Sequence, residues 1–284
     1  MGKKKTVLDF YQMKERGEKI SYLTSYDFCT ARIAEQAGLD MLLVGDSLGN
    51  VMYGYEGTIP VTMNQMILHS QAVRKGAPNT FVIGDMPFLS YQKSVEDAIE
   101  NAARFYKEAG ADAIKLEGGR RVVPQIKGIV GSGMVVMGHI GMTPQSSGQM
   151  GGYKVQGNTA EAAIELLADA EALQEAGAFA VLLESIAPET GKLITETLKV
   201  PVIGIGAGPY CDGQVLIVHD MLGIYEVFTP KFVKKYANLA EEMRRAFGEY
   251  ISDIKNGRFP APEHCYKMKP GEAEKLNEML KKRA

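Results

Sequence analysis

The sequence alternates short aliphatic runs with longer segments whose apolar residues recur at helical spacing, and it does so eight times. This alternation is typical of repeated βα units, in which successive strands pair in parallel. A chain of 284 residues with 45% hydrophobic content can bury one barrel core of roughly 250 residues. The pattern therefore predicts an α/β fold, a single (β/α)8 or TIM barrel. Its strands are predicted at 20–26, 41–47, 80–87, 112–118, 134–141, 179–185, 201–207 and 216–219.

Helical segments lie between most of the predicted strands, and several begin at a Ser or Thr suited to N-capping. They are predicted at 30–37, 62–74, 94–109, 159–175, 190–198, 231–247 and 272–281. Three of them end at Ala-Gly, a helix stop that allows a left-handed residue before the next strand. These are Ala37-Gly38, Ala109-Gly110 and Ala176-Gly177. We expect residues 1–284 to form one barrel domain, with an N-terminal extension at 1–19 and a C-terminal helical extension at 231–284.

Composition excludes several classes of protein. Lys and Arg number 32 against 34 Asp and Glu, so the net charge of -2 gives no reason to expect nucleic-acid or membrane partners. Cys29, Cys211 and Cys265 are far apart, without the spacing of a zinc site or the density of a disulfide scaffold. The N-terminus lacks the apolar region of a signal peptide, and no other run approaches a membrane span. We expect a soluble, cytoplasmic protein.

Acidic residues lie at or near the ends of four predicted strands: Asp46, Asp85, Glu117 and Glu184. The C-terminal ends of parallel barrel strands meet at one rim, so these carboxylates should converge there. Asp46 and Asp85 share an apolar-apolar-Gly-Asp pattern, and two such carboxylates with open positions beside them suit Mg²⁺. Alternatively, each Asp begins a loop or caps a helix.

Lys115 and Glu117 are two residues apart on a predicted strand, so their side chains point to the same face. Inside a barrel that face is the lumen, where a charge is costly unless it is paired or functional. Lys115 could bind a substrate carboxylate, while Glu117 supports metal-bound water. A structural Lys-Glu ion pair is the alternative.

Glu184 and His139 complete the candidate rim. Apolar neighbours on one side of Glu184 would strengthen it as a general base, although it could instead accept backbone hydrogen bonds at the strand end. His139 also follows an apolar run, and it is equally well explained as a hydrogen-bonded packing residue. A glycine-rich run at 204–208 is weak evidence for a phosphate site, because tight turns and close packing explain its glycines equally well. For the pair His219-Asp220, capping is the simple explanation.

Seven blocks of sequence, in order and spread along the chain, resemble the ketopantoate hydroxymethyltransferase family. The blocks are Val44-Gly-Asp-Ser-Leu-Gly-Asn50, Pro60-Val-Thr-Met63, Gly84-Asp-Met-Pro-Phe88, Lys115-Leu-Glu-Gly-Gly119, Gly138-His-Ile-Gly-Met-Thr-Pro-Gln145, Gly204-Ile-Gly-Ala-Gly208 and Asp212-Gly-Gln-Val-Leu216 with His219-Asp220. The resemblance implies a cytoplasmic TIM-barrel transferase of pantothenate and coenzyme A biosynthesis. Such an enzyme moves a hydroxymethyl group from 5,10-methylenetetrahydrofolate to 3-methyl-2-oxobutanoate through a Mg²⁺-stabilised enolate, giving 2-dehydropantoate.

The resemblance also implies residue roles. It makes Asp46 and Asp85 ligands of one Mg²⁺ per subunit, with Glu117 acting directly or through water. The implied substrate-binding residues are Asp46, Ser47, Asp85, Lys115 and His139, and Glu184 is the implied proton acceptor. The family is often a decamer of two pentameric rings, so a homo-oligomer is expected. No residue is assigned to the folate.

Two other hypotheses remain open at this point. A Mg²⁺-dependent 2-oxo acid carbon-carbon lyase of the isocitrate lyase and phosphoenolpyruvate mutase type would share the rim carboxylates. It would, however, need a reactive group in a mobile loop, often a Cys, and the loop at 143–158 contains none. A non-catalytic barrel scaffold is the other alternative, and the intact set of charged rim residues argues against it.

Overall fold

The computed structural model describes residues 4–152 and 154–283. Residues 1–3, 153 and 284, which belong to the predicted extensions and to the 143–158 loop, lie outside the described residues. Within the described part, parallel strands pair in chain order, and the eighth pairs with the first to close a barrel. The strands are β1 Ile20–Thr24, β2 Met41–Val44, β3 Phe81–Asp85, β4 Ala113–Glu117, β5 Val136–Gly141, β6 Ala180–Glu184, β7 Val202–Ile205 and β8 Gly213–Leu216. The predicted (β/α)8 fold is confirmed.

Helices connect the strands and cover the outside of the barrel. They are α1 Val7–Glu15, α2 Phe28–Gln36, α3 Leu48–Val51, α4 Met63–Gly76, α5 Val95–Ala109, α6 Val123–Gly131, α7 Ser147–Met150, α8 Ala160–Glu175, α9 Pro188–Thr197 and α10 Val218–Met221. Thr62, Ser94 and Thr159 cap α4, α5 and α8 by accepting a backbone N–H three residues on, as their side chains predicted. The glycines that end α2, α5 and α8 are all left-handed, with φ of 85°, 65° and 99°.

The strand predicted at 216–219 was placed three residues too far along the chain. Strand β8 is Gly213–Leu216, and His219 lies in the short helix α10 that follows it. A Cβ atom at Gly213 would stand 2.6 Å from the backbone oxygen of Ile20, so closing β8 against β1 requires a glycine at this position. The sequence from Cys211 to Gln214 is typical of a turn. Strand β8 nevertheless begins at Gly213, because it pairs with β1 and β7 when the barrel closes.

Further differences concern helices. Helices α1, α3, α6, α7 and α10 were not predicted; α3, α7 and α10 have only four residues each, too few to show a helical period. Helix α2 begins at Phe28 rather than at Thr30, because the side chain of Asp27 accepts the Thr30 N–H at 2.9 Å and so caps the helix earlier.

Residues from 238 onward form a second compact unit. It contains α11 Leu239–Lys255 and α12 Glu272–Lys281, and α12 has the predicted bounds. The helix predicted at 231–247 was wrong at both ends. Its expected first turn instead makes tertiary contacts within the barrel unit: the N–H of Tyr236 donates to the oxygen of Met221 at 2.8 Å, and Phe232 packs beside Gly206. The predicted boundaries of the two extensions remain predictions.

The inside of the barrel is apolar at its N-terminal end and polar at its C-terminal end. Phe10 of α1 is fully buried there, with ring centroids 5.1 Å from Phe81 and 6.4 Å from Phe179, so α1 closes the bottom of the barrel. Inward-facing aliphatic side chains fill the next level. Above them, the strands end in charged residues. In the described part of the chain, no helix is both long and apolar enough to cross a membrane.

Candidate metal and substrate site

Strand register brings the predicted site residues to one rim. Asp85, Glu117 and Glu184 are the last residues of β3, β4 and β6. Lys115 lies opposite Asp85 in the β3–β4 pairing, and His139 lies opposite Glu117 in the β4–β5 pairing. Because inward-facing residues alternate along each strand, all five side chains face the lumen. Their functional roles remain predictions at this stage.

Asp46 and Asp85 are adjacent at this rim. The N–H of Asp46 donates to Oδ2 of Asp85 at 3.0 Å, and both carboxylates are buried. Burial, together with the charges of Asp85 and Glu117, raises the pKa of Asp46 well above its usual range. Burial also raises the pKa of Asp85, although Lys115 opposes the shift. The two aspartates therefore hold a proton more readily than free aspartates do, because their surroundings compensate negative charge only in part.

The glycine before Asp85 acts on the outer face of the sheet. A Cβ atom at Gly84 would lie 2.2 Å from the ring of Phe105, so this glycine lets α5 pack directly against β3. The apolar-apolar-Gly-Asp pattern thus combines helix packing outside the barrel with a carboxylate inside it.

Lys115 supplies positive charge at the centre of the cluster. Its Nζ lies 2.7 Å from Oδ1 of Asp85 and 3.3 Å from Nδ1 of His139, and the side chain is 3% exposed. Burial lowers the pKa of Lys115, but the charges of Asp85, Glu117 and Asp46 outweigh burial and raise it. Lys115 is therefore a buried cation surrounded by carboxylates.

His139 lies between two glutamates. Its Nδ1 is 3.5 Å from Oε1 of Glu117, and its Nε2 is 3.4 Å from Oε2 of Glu184. Burial and the charge of Lys115 lower the pKa of His139, yet the two glutamates outweigh them and raise it to about 9. Burial opposes ionisation of Glu117, but His139, Lys115 and the N–H of Gln145 hold the pKa of Glu117 below its usual range.

Glu184 is the accessible acid of the cluster. Its side chain is 19% exposed, against 1–3% for Asp85, Lys115, Glu117 and His139. Among the described residues, no backbone N–H donates to its carboxylate, which removes the support for the alternative of a simple strand-end acceptor. The chain bends sharply after it, because Ser185 is left-handed with φ of 48°. A molecule entering from the rim can therefore reach the carboxylate.

Ser47 stands beside Asp46 at the start of α3. Its Oγ lies 2.8 Å from the hydroxyl oxygen of Tyr26, and the residue is half-buried. The contact joins the end of β1 to the loop after β2. Ser47 is thereby held next to the aspartate pair, on the same side of the rim.

Two residues of the site were missed by sequence reasoning, Gln145 and Tyr91. Gln145 donates hydrogen bonds to both Asp46 and Glu117, and Tyr91 donates to Gln145. Both are buried. Gln145 could have been found from its place in the Thr143-Pro-Gln145 run, which closely follows a strand that ends at the rim. No local sequence pattern distinguishes Tyr91.

The glycine-rich run has a structural role. Gly206 and Gly208 have φ of 67° and 82°, and added Cβ atoms would meet Phe232 at 2.6 Å and Pro188 at 2.7 Å. Backbone turning and close packing therefore explain these glycines without a phosphate. His219 and Asp220 lie inside α10, whose N-cap is Ile217, so the capping explanation for this pair was wrong. The ring of His219 lies beside that of Tyr26, with centroids 5.5 Å apart.

The donor set can be tested for its fit to a divalent cation. Among residues 4–152 and 154–283, no group of three or more His, Cys, Asp or Glu side chains is already arranged as a metal site. The chemistry of the rim nonetheless suits a hard cation. Asp46 and Asp85 have raised pKa values, and the buried Oε1 of Glu117 makes no hydrogen bond within the described residues. A cation bound by oxygen ligands would relieve this repulsion.

Fold and site together define a (β/α)8-barrel protein with a buried, carboxylate-rich centre at the C-terminal end of its strands. The sequence profile of the ketopantoate hydroxymethyltransferase family matches residues 4–262, and the chain belongs to that family. A relative from Alkaliphilus metalliredigens, named 3-methyl-2-oxobutanoate hydroxymethyltransferase, is 58% identical over 266 residues, 94% of each chain. One of the same name from Enterococcus faecalis is 53% identical and covers 96% of this chain and 99% of its own.

Solved structures with little sequence similarity share the fold. Phosphonopyruvate hydrolase is 15% identical, with a TM-score of 0.59 over 97% of this chain and 96% of its own. Phosphoenolpyruvate phosphomutase from Streptomyces platensis is 16% identical, with a TM-score of 0.59 over 98% of each chain. At these identities the likeness concerns the fold alone.

Proposed function

We propose that this chain transfers a hydroxymethyl group from 5,10-methylenetetrahydrofolate to 3-methyl-2-oxobutanoate, giving 2-dehydropantoate in the cytoplasm. Family membership supports the reaction. The observation that carries it is the placement of an accessible carboxylate, Glu184, at the same rim as the buried pair Asp46 and Asp85. Such a rim can hold a 2-oxo acid at one side and remove its proton at the other.

Asp46 and Asp85, with Glu117 directly or through water, would hold the cation, which we expect to be one Mg²⁺ per subunit. When bound, Mg²⁺ supplies an electrophile that makes the C3 proton of a 2-oxo acid easier to remove. The ligand assignment agrees with the raised pKa values of the two aspartates, because a nearby cation would favour their ionised forms.

Lys115 and Ser47 would bind and orient the substrate. The Nζ of Lys115 is a buried donor with positive charge, suited to the substrate carboxylate. Ser47 presents a hydroxyl that Tyr26 holds in place, and it can donate to an oxygen of the same substrate. Aspartates and lysine together would fix the 2-oxo acid with C3 within reach of Glu184.

Glu184 would accept the C3 proton. Its carboxylate is reachable from the rim, and His139 Nε2 stands 3.4 Å from its Oε2, so a protonated His139 would attract it. His139 could also contact the hydroxymethyl group of the product. General-base catalysis of this kind contributes roughly 10²–10⁴-fold to a rate.

The first experiment measures exchange of the C3 proton of 3-methyl-2-oxobutanoate in D₂O by NMR, with and without Mg²⁺. Leaving out the folate separates proton removal from group transfer. We expect exchange that depends on Mg²⁺, followed by formation of 2-dehydropantoate when methylenetetrahydrofolate is added. Absence of both exchange and product, with metal and folate present, would contradict the proposal and favour a scaffold.

Glu184→Gln tests the base. We expect C3 exchange to slow by at least about a hundredfold while substrate binding is kept, because the amide cannot accept the proton. Glu189→Gln is the matched control, since Glu189 is an exposed acid only five residues away in α9. Equal exchange rates in the wild type and in Glu184→Gln would remove Glu184 from this role.

The competing lyase reaction needs a direct test. The loop at 143–158 has no Cys to serve as its reactive group. Incubation with isocitrate and methylisocitrate should therefore give no cleavage products. Rapid turnover of either compound would replace the transferase proposal with the lyase.

We also propose that the chain forms a homo-oligomer, with a decamer expected from its family. Light scattering coupled to size-exclusion chromatography measures the mass of the assembly directly. A monomer at micromolar concentration would contradict this part of the proposal without affecting the reaction.

A further inference from the structure

Gln145 is a neutral side chain buried within the charged rim. It lies in the 3₁₀ turn Pro144–Ser146, which is separated from the end of β5 by two residues, and is 4% exposed. Pro144 begins this turn, where its fixed φ suits a first helical position. The loop thereby places an amide among carboxylates.

Gln145 contacts two of the proposed metal ligands at once. Its Nε2 donates to Oδ2 of Asp46 at 2.9 Å and to the backbone oxygen of Met86 at 2.9 Å. Its backbone N–H donates to Oε2 of Glu117 at 3.1 Å. One residue therefore fixes an oxygen of each carboxylate, although the two acids come from different strands.

Tyr91 determines which way the amide of Gln145 faces. The Tyr91 hydroxyl donates to Oε1 of Gln145 at 2.7 Å, and it accepts the backbone N–H of Glu117 at 3.1 Å. Gln92 Nε2 donates to the same Oε1 at 3.1 Å. Because donors surround the amide oxygen, the NH₂ group must face Asp46 and Met86.

The hydrogen bonds made by Gln145 leave Oε1 of Glu117 for a cation, with Nδ1 of His139 3.5 Å from it. Oδ2 of Asp46 and Oε2 of Glu117 are occupied by Gln145, whereas the buried Oε1 of Glu117 makes no hydrogen bond in the described part of the chain. Partners of this kind orient metal ligands, and losing one typically costs about 10–100-fold in metal affinity.

We propose that Gln145, oriented by Tyr91, is a positioning residue that presents Asp46 and Glu117 to the divalent cation. The inference rests on the proposed function, because it takes these acids as metal ligands. It assigns to a loop residue a role that it would perform through Asp46 and Glu117. A purely structural role, in which Gln145 only anchors its loop to the barrel, is the alternative to be tested.

The experiment measures binding of Mn²⁺ to the metal-free full-length protein by electron paramagnetic resonance, without any substrate. Gln145→Met keeps the side-chain length and removes the Nε2 donor to Asp46, while the backbone N–H that reaches Glu117 stays. Tyr91→Phe removes the hydroxyl that orients the amide and that also accepts the backbone N–H of Glu117. We expect both variants to bind Mn²⁺ about 10–100-fold more weakly than the wild type. Gln149→Met is the matched control, because Gln149 is an exposed glutamine of the same loop that contacts Arg121.

A second measurement separates positioning from loss of structure. If Gln145 acts through the metal, raising Mg²⁺ should restore much of the C3 exchange rate of Gln145→Met, whereas a damaged fold would not recover. Circular dichroism and urea unfolding establish that each variant is folded. Should Gln145→Met fail to fold, Tyr91→Phe decides the question alone.

The outcomes distinguish the two proposals. Wild-type Mn²⁺ affinity in folded Gln145→Met or Tyr91→Phe would overturn the positioning role, while leaving metal-dependent exchange by the wild type intact. A wild-type protein that binds no Mn²⁺ would overturn both the positioning role and the metal part of the proposed function. Weaker binding in both variants, with Gln149→Met unchanged, supports the inference.

Discussion

The two halves of the barrel rim differ sharply in the residues that they point inward. From β3 to β6 the upper inward positions are charged: Asp85, Lys115, Glu117, His139 and Glu184. From β7 through β8 and β1 to β2 the inward positions on the strands themselves are neutral: Ile205, Val215, Tyr22 and Leu43. Asp46, in the loop after β2, lies beside Asp85 and is counted with the charged half. Register places Ile205 directly opposite Glu184, so the halves meet at the same level. The barrel thus offers charge on one side of its lumen and an apolar wall on the other.

The division has a physical reason. Buried charges are costly, and a barrel can contain them only where they compensate one another. In the charged half, Lys115 approaches Asp85 and His139 at 2.7 and 3.3 Å, and His139 also approaches Glu117 and Glu184 at 3.5 and 3.4 Å. The neutral half packs as an ordinary core. A 2-oxo acid with a branched alkyl group also has two parts. Its carboxylate and keto group suit the charged half of the rim, and its alkyl group suits the neutral half.

Removing a charge should affect stability far more than trimming the apolar wall. We predict that Lys115→Met lowers the free energy of unfolding by about 3 kcal/mol in metal-free buffer. The cause is Asp85, which would keep its burial and lose its cation. Urea unfolding, followed by circular dichroism, measures the change.

The comparison for this prediction is Ile203→Val in β7, a fully buried position of the neutral half. It should cost only about 1 kcal/mol, as expected for the loss of one buried methylene. If the two variants lost equal stability, the contrast between the halves would have no energetic basis.

The apolar wall should instead control substrate choice. We predict that Ile205→Ala reduces the preference for 3-methyl-2-oxobutanoate over 2-oxobutanoate by about tenfold, because apolar contacts of one or two carbons discriminate by about that factor. Ile205 is 8% exposed and lies at the level of Glu184, so it can contact the alkyl group. The ratio of C3 exchange rates for the two substrates at subsaturating concentration measures the preference.

Ile203→Val again provides the control, because Ile203 lies one inward position below Ile205 and is fully buried. It should change stability without changing the ratio of exchange rates. An unchanged ratio in Ile205→Ala would mean that the alkyl group is recognised elsewhere.

The charged half could be predicted from sequence because strand order and strand ends determine it. Asp85, Glu117 and Glu184 each end an apolar run. A closed barrel of parallel strands brings such strand ends to one rim, regardless of the conformation of the loops. The family prediction, based on blocks around these residues, is confirmed by the comparisons. The roles of the individual side chains remain predictions.

What could not be predicted depends on tertiary contacts of neutral residues. Gln145 and Tyr91 have no charge to distinguish them, and their partners lie 99 and 54 residues away in sequence, at Asp46 and Gln145. Strand β8 was misplaced for a similar reason, since it is a strand only because β1 and β7 pair with it. Local sequence contains the inward and outward alternation, but not the closing contacts.

Asp220 of α10 follows the neutral strand β8 and provides the smallest test of the contrast. Burial raises the pKa of its carboxyl above the usual range to about 6, with Lys235 opposing the shift only in part. Because the folded state binds the proton more tightly than the unfolded chain, this carboxyl should reduce stability as the pH rises from about 4 to about 6.

We therefore predict that Asp220→Asn removes this pH dependence. The free energy of unfolding of the variant, relative to the wild type, should rise by about 1 kcal/mol between pH 4 and pH 6 and stay constant above pH 6; solvent near the rim keeps the change this small. Urea unfolding of both proteins at several pH values measures it. A difference that does not vary with pH would mean that Asp220 finds compensation of the kind seen in the charged half. The neutral half of the rim would then tolerate a buried carboxylate as well as the charged half does. The difference between the halves would depend on which charges are paired rather than on where they lie.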